Sequence, residues 1–167
     1  MEANDKGKGG WAMEEKIIAG LQLYIQWVET LGSLSEQEAA LPYADGKWSP
    51  KEILMHMAEW DRLTIEERLA YMKDSSTFHE VPADIPFDEF NAEAARKAKD
   101  KTFDEIRMYA IEMRRRLLSE LALLEGEQWD ASIPIGEFTI SIRQYFSDFI
   151  EHDKHHKTQL DSLQVIG

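Results

Sequence analysis

The stretch WSPKEILMHMAEWDRLT, residues 48–64, decides how the whole chain is read. Ser49 has the side chain of a helix N-cap, Pro50 suits the first helical position because its missing N–H would find no partner there, and Glu52 completes a capping box. A helix therefore starts at Pro50. Ile53, His56, Met57, Trp60, Leu63 and Thr64 then recur at helical spacing, and the stripe fades near Lys73.

Three further helices flank it. From Met13, Ile17, Leu21, Tyr24, Ile25, Val28 and Leu31 form the stripe of helix one, with Gly32 where a C-cap belongs. Thr102 and Glu105 make another capping box, opening helix three with Ile106, Ala110, Met113, Leu117, Leu121 and Leu124 on one face. Helix four begins around Thr139 to Ser141, where Ser141 and Gln144 are spaced as a cap pair. It carries Ile142, Tyr145, Phe146, Phe149, His152, Asp153, His156, Leu160 and Leu163. Four long amphipathic helices and no convincing strand predict an all-α, four-helix bundle. Residues 1–12, Gly- and Lys-rich around a lone Trp11, read as a flexible tail, and 13–167 as a single domain. Residues 74–101, broken by Pro82 and Pro86, read as a long crossover between helices two and three that holds a short helix. Ile133 to Phe138 reads as a short extended segment or an apolar plug over the bundle end.

Composition narrows the function. The chain has 167 residues, no cysteine and a net charge of −13. Without cysteine there is no disulfide, thiolate metal site or cysteine nucleophile, so any metal must sit on His, Asp or Glu. The acidic balance disfavours non-specific binding to nucleic acid or anionic membranes. Arg114-Arg115-Arg116 reads as a solvated helix face and does not overturn this. No apolar run approaches a membrane span, and Met1 to Gly10 lacks the apolar centre of a signal peptide, so a cytoplasmic site is the default expectation.

His152 and His156 are four apart, which stacks both imidazoles on one helix face within reach of one ion. Both share the stripe of Phe149 and so point inward. His56 lies on the inward face of helix two; alone it would read as a hydrogen-bonded core residue. Together the three rings would leave coordination positions open, as in a catalytic metal site. His155 lies about 100° around the helix and reads as a rim residue, and His79, in the crossover, as solvated. No Glu stands three before any His, which argues against a di-iron bundle. His152-Asp153-Lys154-His155-His156 is close to a zincin motif with Asp for Glu, but downstream Asp161 alone could supply the next ligand. Asp153 is a candidate second-layer group or base acting through water, against a structural role. Glu52, one turn before His56, is a candidate acceptor for an imidazole N–H, against its capping role.

Residues 48–61, WSPKEILMHMAEWD, resemble the helix-two signature of the DinB/YfiT-like family, and residues 151–160, EHDKHHKTQL, resemble its helix-four segment. The likeness spans Met13 to Leu163. Asn91-Ala92-Glu93 and the chain length look closer to the branch with the colibactin-resistance and DfsB-like proteins. The resemblance implies a divalent metal, zinc, nickel or iron, on His56, His152 and His156. It also implies a metal-dependent transferase that uses a low-molecular-weight thiol such as bacillithiol, mycothiol or glutathione on a small electrophile, with a hydrolase or lyase as rival. The family name's association with DNA damage reflects induction in some members, and the charge gives no support for DNA binding. A reading of another class is a non-enzymatic module whose core histidines satisfy one another around a bound ligand. The expected partner is a small-molecule substrate, with a homodimer left open.

The ligand positions also predict topology. His56 is early in helix two and the helix-four pair is late, so one ion can join them only if those helices are antiparallel. An up-down-down-up order follows, with the crossover of residues 74–101 returning the chain and the site near the end where helix one finishes.

Overall fold

In a computed structural model the described residues are 5–164, with side chains placed for 13–161. The helices are α1 (Asp5–Thr30), α2 (Glu36–Ala40), α3 (Pro50–Leu63), α4 (Ala70–Met72), α5 (Phe87–Lys99), α6 (Phe103–Ala122), α7 (Gly126–Asp130) and α8 (Ile142–Gln164). A π-helical stretch, Thr64–Leu69, joins α3 to α4 without a break. Both expected capping boxes form. Ser49 Oγ accepts from Glu52 N while Glu52 Oε1 accepts from Ser49 N, and Thr102 and Glu105 do the same for α6.

Two expectations of local structure change. The backbone of α1 begins at Asp5, so residues 5–12 continue the helix where a tail was expected; Trp11's side chain and residues 1–4 lie outside the described part. Residues 133–140 form a two-stranded antiparallel hairpin, β1 (Ile133–Ile135) and β2 (Phe138–Ile140), where a short extended segment was one of two readings of Ile133 to Phe138 but no paired strands were expected. Its reversal at Gly136 has φ 63°, a conformation that costs a side chain but not glycine. Strands of three residues are too short to reveal an alternating pattern, and Ile133 is buried as the apolar-plug reading required.

Cross-helix contacts fix the directions. Along α1 and α8, Glu14 meets Arg143 and Trp27 meets Asp161, so the two run parallel. Gly20 allows their approach, since a Cβ there would lie 2.8 Å from Ile150 Cδ1. Glu59 meets Tyr109, and beyond α3 Lys73 meets Glu120, so α3 and α6 are parallel. Thr64 meets Tyr145 while His56 meets His156, so α3 and α8 are antiparallel. The order is up-down-down-up. Helix α5 makes the return, running back along α3 with Asn91 on Trp60 and Lys97 on Glu59. No described helix is long and apolar enough to cross a membrane.

The expected stripes form the core: Ile17, Leu21, Val28, Ile53, Ile106, Leu117 and Phe146 are all buried. The core falls into two apolar clusters, and Arg114 is buried in the bundle with them at 0% exposure. This corrects the reading of residues 114–116 as a wholly solvated face, for only Arg115 and Arg116 are exposed. Arg114 directs Nε and Nη2 to Asp61 at 2.7 and 3.1 Å, and Nη1 and Nη2 to Asp153 at 2.8 and 3.1 Å. Nη1 also donates to Leu21 O at 3.1 Å. Every guanidinium N–H thus has an acceptor. The Tyr24 ring covers the group at 3.8 Å. Burial pushes the Asp61 carboxyl up to about 6 against the pull of Arg114.

Candidate metal centre

Three elements of sequence bring the histidines together. The Ser49 cap sets the register of α3 and puts His56 inward, 4% exposed, between Trp48 and Trp60 at ring distances of 5.2 and 6.2 Å. On α8 the four-residue spacing stacks His152 and His156, with Nε2 atoms 3.2 Å apart. The antiparallel packing brings His56 to both, with ring centroids 5.6 and 5.1 Å away. One nitrogen from each ring lies within 4.8 Å of the others. No other group of three His, Asp or Glu side chains among the described residues is so placed.

The rings are set up as neutral donors. Burial, reinforced by the two neighbouring imidazoles, pushes His56 down to about 3. Burial likewise pushes His156 down to about 4, against the opposing effect of Gln159, and lowers the more exposed His152. Gln159 Oε1 can only accept, so its 2.8 Å contact with His156 Nδ1 places the proton on Nδ1 and leaves the Nε2 lone pair facing His152. Gln159 Nε2 donates to Tyr43 OH at 3.2 Å, tying the ring to the segment before α3.

The donor set fits a divalent ion: three neutral imidazoles, one tautomer already fixed, and no carboxylate ligand. His152 and His156 lie within hydrogen-bonding distance of each other, but His56 Nδ1 is buried with no hydrogen-bond partner, so hydrogen bonding within the cluster leaves one ring atom unsatisfied.

The remaining candidates sit elsewhere. Both Asp153 oxygens are on Arg114, so its position is that of a structural carboxylate, not of a base facing the rings. Glu52 is occupied in its capping box and does not accept from His56. Asp161 accepts from Trp27 Nε1 at 3.2 Å. His155 is exposed at the rim, its ring 5.3 Å from that of His156, and His79 is exposed in the crossover.

Beside His152 opens a cavity of about 400 Å³ walled by Trp60 and Phe87 on one side of the bundle and by Tyr145 and Phe149 on α8. Phe87 stacks on Trp60 at 5.3 Å, and Tyr145 and Phe149 stack at 6.3 Å. Sequence reasoning missed Gln159, although its place three residues after His156 is one turn along the same helix face. It also missed Arg68, which lines this cavity, because the π-helical stretch that carries it has no pattern of its own.

The fold matches that of YfiT from Bacillus subtilis, described as a probable metal-dependent hydrolase with an unusual four-helix bundle topology. The TM-score is 0.72 at 18% identity, over 98% of this chain and 89% of that one. No curated protein matches this chain. The sequence profile of the DinB superfamily matches residues 22–160, a span that contains all three clustered histidines, and the chain belongs to that superfamily.

Proposed function

We propose that the protein is a metal-dependent enzyme that directs an external nucleophile at a small electrophilic substrate, with thiol transfer as its reaction. The observation that carries this is the cluster of three neutral imidazoles, whose nitrogens lie within 4.8 Å of one another at the edge of an apolar cavity. A divalent zinc, nickel or iron ion on His56, His152 and His156 would supply Lewis acidity, lowering the pKa of a coordinated thiol or water.

The chain's own residues do the rest. Gln159 holds the His156 tautomer, and the buried Arg114 links Asp61 of α3 to Asp153, next to His152. Trp60, Phe87, Tyr145 and Phe149 offer flat apolar surface and exclude water from one side of the reacting centre. With no cysteine in the chain, a thiol nucleophile must come from a small cosubstrate. A thiol also needs less help than water: its unperturbed pKa is about 8.5, and both carboxylates adjacent to His152 in sequence are engaged, Asp153 by Arg114 and Glu151 by Lys154. Hydrolysis is the second reading, favoured by the description of YfiT.

The test is to saturate the protein with Zn²⁺ or Ni²⁺ and follow two reactions, displacement of chloride from chlorodinitrobenzene by glutathione and hydrolysis of nitrophenyl acetate. Metal-dependent thiol substitution that disappears in His152→Ala supports the proposal; metal-dependent hydrolysis alone selects the second reading. Protein that takes up no metal refutes both.

A further inference from the structure

Arg68 has no described carboxylate partner. Its one hydrogen bond among the described residues runs from Nη1 to Tyr145 OH at 3.1 Å, and its Nε is buried with no partner at all. Tyr145 OH also meets the buried Thr64 Oγ1 at 3.2 Å, so the phenol is pinned and the guanidinium is pinned by it. Arg68 is half-buried, so part of its guanidinium is open to solvent or a ligand, while its Nε is a buried donor that no described residue satisfies.

Its position indicates what that is. Arg68 and His152 line the same cavity, together with the aromatic faces described above. His56, Trp60, Thr64 and Arg68 follow one another at intervals of four. In a regular α-helix three such intervals would drift by about 120°, but the wider π-helical turn of Thr64–Leu69 takes part of that drift back. The widened turn thereby keeps Arg68 on the face that carries the site. The cavity's one carboxylate, Asp148, is exposed and accepts from Gln144 Nε2 at 2.8 Å, and it makes no ion pair with Arg68.

We infer that Arg68 is the anchor for an anionic group, so that the substrate is a small, flat, apolar molecule carrying a carboxylate or phosphate at the end remote from the reacting atom. The inference deepens the proposed function and rests on it for which end reacts. Tyr145 is seven residues before His152, so the anion would sit about 10 Å along α8 from His152, the histidine that lines the cavity, a span that a substituted aromatic ring system covers.

The experiment titrates the full-length protein with 2-naphthoate, 2-naphthyl phosphate and the neutral 2-naphthamide by calorimetry, once after chelator treatment and once saturated with Zn²⁺. At least about tenfold tighter binding of one anion than of the amide is expected in both states, and the tighter anion identifies the group. Arg68→Met should abolish that preference and leave the amide's Kd within about twofold. Arg68→Gln, which keeps an N–H for Tyr145, serves the same purpose should the first variant fail to fold. Equal binding of anions and amide, no binding of either, or a preference that survives loss of Arg68 overturns the inference. An anion preference seen only with Zn²⁺ and indifferent to Arg68 leaves the metal reading standing and removes the anchor. A preference that needs Arg68 in a protein that binds no metal does the reverse.

Discussion

Gln159 Oε1 lies 2.8 Å from His156 Nδ1 and, being an acceptor alone, dictates which nitrogen of that ring is free to bind. Gln159→Leu should therefore weaken Zn²⁺ binding by about 10–100-fold, read by competition with a chelating dye. Gln159→Glu should keep or strengthen it, because a carboxylate accepts the same proton and makes the ring more basic. Equal losses in both variants would mean that Gln159 acts only through packing.

The three histidines should be separable from the other two by metal content. His56→Ala, His152→Ala and His156→Ala each remove a ligand and should lose metal on dialysis, whereas His79→Ala should match the unmodified protein. His155→Ala should stay near it, since His155 is exposed and meets the cluster only at its rim, through Gln159 at 3.4 Å and the edge of the His156 ring. Elemental analysis of the five variants decides. Loss of metal in His155→Ala with retention in His156→Ala would place the wrong face of α8 inward.

The helices and the candidate histidines were legible because capping boxes and four-residue spacings are local signals, and the antiparallel pairing of α3 and α8 followed from where His56 and His152 fall along them. Arg114 was misread for want of its partners. It occupies a stripe position, four after Ala110 and three before Leu117, and Asp61 and Asp153 occupy stripe positions on their own helices, but nothing local says that the three meet. Arg68 depended on a change of helical pitch, and the short strands on a hairpin whose period spans three residues; neither leaves a repeat long enough to read.

Metal-free protein should lose stability in mild acid. Burial holds His56 down to about 3 and His156 to about 4, from 6.5 in an open chain. Below pH 6.5 the unfolded chain takes up protons that the folded one refuses, so stability falls as the pH drops, until the folded rings protonate near the values given. The slope contributed by each ring approaches about 1.4 kcal/mol per pH unit. Urea unfolding at about pH 7.5 and about pH 5.5, compared with a His56→Asn, His156→Asn double variant, measures it. The same pH dependence in both proteins would show that these rings do not titrate on unfolding.

Arg114 provides the sharpest test of how the bundle holds its site. It is wholly buried between Asp61, five residues after His56, and Asp153, the neighbour of His152. Arg114→Met leaves two carboxylates enclosed without a counter-charge and should cost about 3–5 kcal/mol. Arg114→Lys should also destabilise, because an ammonium cannot reproduce a fork that serves two carboxylates and a carbonyl at once. Changing all three, Asp61→Asn, Arg114→Met and Asp153→Asn, removes the stranded charges and should recover much of the stability. It should not recover the metal affinity to the same degree, since the link between the two ligand-bearing helices is still gone. Urea unfolding and chelator competition on the same three proteins separate the two effects. Stability and affinity that return together in the triple variant would show that Arg114 serves the fold alone.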